Sequence, residues 1–506
     1  MVLVLSLLVL VVHNVGYMLS ASFWTDEAWV AVTTRYPLSA LRATTASTPI
    51  GWSFLLRLVT FGQSESGRLL PLAFAAAAVA VAYWLVRRMD WKRREIAILA
   101  GVLGAVAVLI VPAMLVRDDL KQYTADTFLT LVLLALTSRL ERRWSWSGLL
   151  LLSLATWGGM LLSDAGVFAG AAAWLAIWLV QLFRGAWRRL GQTTLVAGCS
   201  GALGLAIYVS FDAGAIHGLM IQRYGFFFMP VQQGLMPSIR FLGALFGLDR
   251  VWFGLGHYWF AVPLIIAGLV TLFRLGRPAV ALAVFLIWPE MVVLSVLKKY
   301  PFLDLRTSTF MFASAALVAA IGVAGICAVL REKLHGSRVP QVAAISVAVL
   351  AVAGFSVNAG PYVRSKPIPP SSMQQIAQYV AAHSAPRDAI FLSADSSWGF
   401  AYYWPTGQPG RYLTTTTEQG YQSDFPGQPR IVVARQRTGP SIEAGMRRAL
   451  AQVRPGTCAR IWMVLTQISP VEAQAIPVDL HALHLTRNYV LPGLYYINVG
   501  PSSCPS

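Results

Sequence analysis

Charge is what this chain lacks. Only 12% of its 506 residues are Asp, Glu, Lys or Arg, about half the share that ordinary soluble domains carry. Acid is scarcer than base, 22 residues against 40, which leaves a formal charge of +18. Cysteine is nearly absent: there are four, with no CxxC pair and no zinc-ligand spacing, which argues against a redox motif or a structural zinc site. A Gly-rich phosphate loop, an internal repeat and an RNA- or DNA-binding motif are also missing. A strongly basic balance often signals a nucleic-acid partner, but here the basic residues sit in short loops between apolar runs, so no nucleic acid is expected.

What is present is apolar: 56% of the chain is hydrophobic. Apolar runs recur at 2–20, 69–86, 96–116, 125–138, 148–162, 166–183, 193–211, 258–273, 278–297, 308–330 and 341–359. Crossing a bilayer takes about 20 mainly apolar residues, so these runs predict a polytopic α-helical membrane protein with about 11 spans. Residues 1–19 could be confused with a signal peptide, but they lack a basic n-region and read as a retained first helix.

The loops alternate in charge. "RRMDWKRRE" (87–95), "RLERR" (139–143), "RGAWRR" (184–189), "RLGR" (274–277) and "REKLHGSR" (331–338) are rich in Lys and Arg. The positive-inside rule assigns them to the cytoplasm of a plasma-membrane protein with N-terminus in and C-terminus out. Loops 21–68, 117–124, 163–165, 212–257 and 298–307 then face outward. Loop 298–307 breaks the bias with Lys298, Lys299 and Arg306. Residues 33–68 read as amphipathic helices of the first outer loop. Residues 1–359 form the transmembrane domain on this reading. Residues 360–506, where strand-length apolar segments alternate with helical ones, form an extracytoplasmic α/β domain. Cys458 and Cys504 fall in that tail, where an oxidising exterior would allow a disulfide.

Three stretches can do chemistry. "FWTDEAWVAV" puts Asp26 and Glu27 side by side between Trp24 and Trp29 at the end of the first apolar run. Carboxylates at a membrane surface are costly unless used or paired, so the pair reads either as a helix end or as a general base with its neighbour. "VRDDLKQYTAD" gathers Arg117, Asp118, Asp119, Lys121, Gln122 and Tyr123 at a helix start; it is a solvated cap or a phosphate site with charged and neutral donors. "LKKYPFLDLRTSTF" supplies Lys298, Lys299 and Arg306, which either snorkel or neutralise an anionic headgroup.

In order and spacing these stretches, together with "STPIGWSFLLRLVTFGQSESGRLLPLAFAAAAVAVAYWLVRR" (47–88), resemble the GT-C glycosyltransferases that use polyprenyl-phosphate sugars. The closest group is the protein mannosyltransferase and lipid A aminoarabinose transferase family. The resemblance covers roughly residues 20–330. It implies an inverting transfer on the extracytoplasmic face, from a polyprenyl-phosphate sugar to a hydroxyl of a glycan, lipid or protein acceptor. Asp26 maps onto the family's base, with Glu27 as its partner. Lys121, Tyr123 and Arg306 map onto the donor-phosphate site, with Arg117 as a further member. Asp118, Asp119, Asp164, Lys299 and His257 remain substrate-binding candidates. The chain departs from the family at "STPIGW", where relatives carry His-Pro-Pro or Lys-Pro-Pro, and at Asp164, where relatives often carry Lys and a helix-cap role is preferred here.

Metal need is open: Asp26, Glu27 and Asp118 or Asp119 are the carboxylates that would gather round Mg²⁺ or Mn²⁺. Glu290, an acid within an apolar run, is expected to pair with Lys298 or Lys299. Trp398, Tyr402, Tyr403 and Trp404 either stack on sugars or fill a core, with the core preferred. Two other classes compete. A flippase for a lipid-linked glycan would place charge near the bilayer midplane. A glycan ligase would use the Arg and His of one long outer loop, here His217, Arg223, Arg240, Arg250 and His257.

Overall fold

The structure is a computed structural model. It describes residues 1–44, 48–60, 65–111, 120–211, 225–252, 258–302, 304, 306–333, 342, 345–346, 349, 363–364, 372–405, 412–414, 421–453, 457–466 and 468–500. Helices follow in chain order: α1 (Val2–Val12), α2 (Val15–Ser20), α3 (Thr25–Ala31), α4 (Leu41–Thr44), α5 (Ile50–Val59), α6 (Leu69–Arg87), α7 (Arg94–Leu109), α8 (Tyr123–Arg142), α9 (Trp146–Leu162) and α10 (Ala165–Phe183). They continue as α11 (Trp187–Phe211), α12 (Leu235–Trp252), α13 (Tyr258–Arg274), α14 (Pro278–Val296), α15 (Thr309–Lys333), α16 (Met373–His383), α17 (Ser396–Tyr403), α18 (Gly439–Gln452) and α19 (Pro470–Ala482). The chain forms two compact units.

The first unit comprises residues 1–18, 48–52 and 68–367. Five of its helices, within 65–87, 165–183, 187–210, 278–296 and 309–332, are long and apolar enough to cross a membrane among the described residues. Their burial grades the packing. α15 is the most enclosed, with 78% of its apolar window buried, whereas the window of α11 is 17% buried and presents a lipid-compatible surface. Membrane helices associate through close packing rather than water exclusion, so small residues mark their contacts. Gly268 on α13 and Gly322 on α15 show this directly. A β-carbon on Gly268 would lie 1.9 Å from the Val318 carbonyl oxygen, and one on Gly322 would lie 2.2 Å from that of Leu264. The expected run 341–359 falls almost wholly outside the described residues.

The second unit joins residues 19–47 and 53–67 to 368–506. Its sheet has the order β4-β1-β5-β7-β6. Strands β1 (Ala389–Leu392), β4 (Ile431–Val433) and β5 (Ala459–Val464) run parallel. Strands β6 (Asn488–Leu491) and β7 (Leu494–Val499) complete it antiparallel. Strands β2 (Tyr412–Thr414) and β3 (Tyr421–Ser423) form a separate ribbon. Parallel pairing needs crossovers, and α18 supplies one between β4 and β5. Its buried Ile442, Met446 and Ala449 join Phe391, Ile461 and Met463 of the sheet in one core. Cys458 is disulfide-bonded, Cys199 and Cys327 are not, and Cys504 lies outside the described residues.

Candidate active site

The acidic pair begins a helix rather than ending one. The first apolar run breaks after Val12, resumes as α2, and stops at Ser20. α3 starts at Thr25, which puts Asp26 and Glu27 in its first turn, where negative charge complements the helix dipole. The Trp24 amide donates to Glu27 Oε2 at 3.3 Å, satisfying one of the donors that a helix start leaves unpaired. Glu27 is buried and Asp26 half-buried.

Aromatic side chains of the second unit hold this short helix. The Phe23 amide donates to Tyr403 Oη at 2.7 Å, and that hydroxyl donates to Glu65 Oε1 at 2.9 Å. The Tyr421 hydroxyl donates to the Trp29 carbonyl. Trp29 stacks on Trp398 with centroids 5.3 Å apart, and Phe23 meets Tyr402 edge-on at the same distance. The Arg35 guanidinium sits 4.0 Å over the Tyr402 ring, a cation–π placement. Tyr36 and Ser423 share a hydrogen bond of 2.8 Å. Gly399 in α17 permits the close fit, because a β-carbon there would lie 2.7 Å from Met373 Cγ and 3.6 Å from Ala28 Cβ.

Burial, then the Glu65 carboxylate, pushes the Tyr403 hydroxyl well above its ordinary range. Burial does the same to Tyr36, and burial with Tyr36 nearby does so to Tyr421. All three therefore stay neutral and keep their protons to donate. Trp398, Tyr402, Tyr403 and Trp404 are all at most 4% exposed, so they are core and not a sugar-stacking platform.

In the first unit, loops at one end of the helix layer collect the polar candidates. Lys121 and Tyr123 are both buried at the start of α8. Gln122 Nε2 donates to Asp164 Oδ2, tying this start to the α9–α10 turn. Asp164 does not cap α10: the cap hydrogen bond goes to Ser163, whose Oγ accepts from the Gly166 amide at 3.0 Å.

Arg306 is mostly buried; its Nε lies 3.7 Å from Asp304 Oδ1. Tyr300 donates to the Thr307 carbonyl at 3.2 Å and meets the Phe168 ring edge-on at 4.9 Å. Burial raises the Tyr300 hydroxyl well above its ordinary range, and Asp126, Asp164 and Asp304 add to the shift. The start of α8, the α9–α10 turn and the segment before α15 thus meet around one tyrosine. Lys299 is exposed, whereas Lys298 adopts φ 57° and donates to the Met229 carbonyl at 3.3 Å. Glu290 makes no ion pair with Lys298 or Lys299; it is half-buried on α14, whereas both lysines follow the helix end.

Arg117, Asp118, Asp119 and His257 lie outside the described residues. Residue-by-residue reading missed Asp126, Tyr300, Asp304, Glu65 and Tyr421. Both oxygens of the buried Asp126 lack a hydrogen-bond partner among the described residues. Tyr300 and Asp304 sat within the quoted "KKYPFLDLR"; the signal was a Tyr and an Asp in a loop already marked by its charge. Among the described residues no three His, Cys, Asp or Glu side chains gather as a metal site.

Compared by sequence, the chain matches no known protein-family model and no curated protein. Compared by structure, it is similar to the oligosaccharyltransferase AglB from Archaeoglobus fulgidus in complex with an inhibitory peptide and a dolichol-phosphate. That match has TM-score 0.54 and 13% identity, and covers 100% of this chain and 74% of that one. It is also similar to ArnT from Cupriavidus metallidurans bound to undecaprenyl phosphate, with TM-score 0.56, 13% identity, and coverage of 99% and 98%. The fold is GT-C. A GT-C frame accounts for the order of parts found here, a mostly helical apolar unit followed by a C-terminal sheet. With several helices apolar enough to cross a bilayer, this GT-C chain is a membrane protein.

Proposed function

We propose that the protein is an inverting glycosyltransferase that moves a sugar from a polyprenyl-phosphate donor to an acceptor hydroxyl on the extracytoplasmic face of the membrane. The observation that carries this reading is the GT-C fold shared end to end with ArnT, a structure bound to undecaprenyl phosphate. Buried Lys121 and Tyr123 and half-buried Arg306 support it, because cationic and hydroxyl side chains are the donor types that a lipid phosphate takes.

The chemistry divides naturally. The acceptor oxygen attacks the anomeric carbon while Asp26 takes the hydroxyl proton. The bond from that carbon to the phosphate oxygen breaks, and its electron pair stays on the lipid phosphate. Lys121, Arg306 and the Tyr123 hydroxyl stabilise that charge. Attack opposite the leaving group inverts the configuration. Glu27, through its hydrogen bond to the Trp24 amide, holds the helix start that presents Asp26.

Replacing Asp26 by Asn tests the assignment. A positioned base typically contributes about 10²–10⁴-fold, so transfer should fall by that factor while polyprenyl-phosphate binding persists. Transfer at the wild-type rate in D26N would remove Asp26 from the mechanism.

A further inference from the structure

The second unit carries a cavity that the transfer chemistry does not use. It has a volume of about 280 Å³ and lies against β4, the edge strand of the five-stranded sheet. Its floor is aliphatic, from Ile431, Val432 and Val433. Arg435, Arg448, Gln452 and Asp424 are among the other residues that line it. The two arginines come from different elements, the segment after β4 and the C-terminal half of α18, so their convergence is a product of the fold.

Their donors are largely unspent. Arg448 Nη2 donates to the Val433 carbonyl at 2.9 Å, which leaves most of its fork unused. Arg435 makes no hydrogen bond or ion pair among the described residues. Asp424 lines the same cavity, yet its Oδ1 accepts from the Phe425 amide at 2.9 Å rather than pairing with either guanidinium within 4 Å. Burial, and then the Arg435 charge, lower the proton affinity of Arg448, with Asp424 opposing. Both arginines keep solvent-exposed surface, so their like charges are open to an anion from solvent, which would bind between them with the field of both.

We propose that this cavity binds the carboxylate or phosphate group of an acidic sugar. A guanidinium pair matches the geometry of either anion through forked, charge-assisted hydrogen bonds. Asp424 and Gln452 supply acceptor and donor groups of the kind that sugar hydroxyls need. The volume sits just under the range of small-molecule sites, which suits one sugar ring rather than a lipid or a peptide. The site belongs wholly to the second unit and stands independently of which residue acts as the base.

Calorimetric titration of the full-length protein in detergent tests this with glucuronate, glucose 6-phosphate, glucose and inorganic phosphate. Both acidic sugars should bind, glucose should not, and inorganic phosphate should bind at least tenfold more weakly than glucose 6-phosphate. R435Q and R448Q should each weaken acidic-sugar binding about tenfold or more. R448Q removes a bond to β4 and can disturb folding; R435Q removes none, so it keeps the test decisive. Undiminished binding in R435Q overturns the proposal. Equal binding of glucose, or of inorganic phosphate alone, overturns its sugar component. Arginine-dependent binding to phosphatidylglycerol vesicles without sugar binding replaces the ligand class with a lipid headgroup.

Discussion

The two groups of candidate residues are held in opposite ways. Asp26 and Glu27 ride on a seven-residue helix that could not persist alone, and neutral aromatic groups fix it: a stacked indole pair, an edge-on ring and three tyrosine hydroxyls. Lys121, Tyr123 and Arg306 sit at the ends of long apolar helices, and ionic and amide groups such as Asp304 and Gln122 tie their loops. An acid is best presented by donors that cannot themselves lose charge. A phosphate site is best built where cations are buried and already partly compensated.

That contrast is open to attack at each end. The largest effect is expected from Arg306→Gln. If the basic loop stabilises a leaving phosphate, kcat/KM for transfer should drop about 10²–10³-fold, with the melting of the second unit unchanged. A normal kcat/KM would break the division of labour. Next, Trp29→Ala should destabilise the second unit by about 3–5 kcal/mol, the usual cost of emptying a large aromatic site, read as earlier loss of its near-UV circular dichroism on heating.

Tyr421→Phe keeps the ring and deletes only the donor to the Trp29 carbonyl, so it should cost about 1–2 kcal/mol by the same readout. Equal effects of the two substitutions would mean that the hydroxyl, not the stacked indole, anchors the helix. The smallest effect is in pH. Tyr36, Tyr403 and Tyr421 all have folded-state affinities for the proton raised above the ordinary value. The unfolded chain then releases protons that the folded one keeps, so stability is flat below about pH 10 and falls above it. A melting temperature of the second unit that holds through pH 11 would show that these hydroxyls are not buried donors.

Much of this frame was legible in the residues. Apolar runs at 69–86, 166–183 and 278–297 became α6, α10 and α14 within a residue or two, because hydropathy over such lengths has few other solutions. "PRIVVAR", "RIWMVLTQ" and "LYYINVG" became β4, β5 and β7, and "SIEAGMRRALAQV" became α18. What stayed hidden was long-range. Nothing local in "SSWGFAYY" announces a helix with every residue buried, since a wholly enclosed helix has no polar face to set a period. The pairing of that helix with residues 23–36 depends on side chains nearly four hundred positions apart. In the candidate site, charge pointed to Lys121 and Arg306, but Tyr300 and Asp126 took their places through packing. Asp164 was misread as a cap because a carboxylate before a helix usually is one; the neighbouring serine took the role when Gln122 took the carboxylate.

The hydrogen bond between Phe23 and Tyr403 spans 380 positions, and that between Tyr421 and Trp29 spans 392. A ribosome adding about 5–20 residues per second makes the first partner tens of seconds before the second. Throughout that interval Trp29 and Phe23 have no partner rings of the C-terminal segment to stack on. The helix that carries Asp26 is therefore made long before the segment that completes its packing, so deleting residues 398–423 should loosen a helix nearly four hundred positions away.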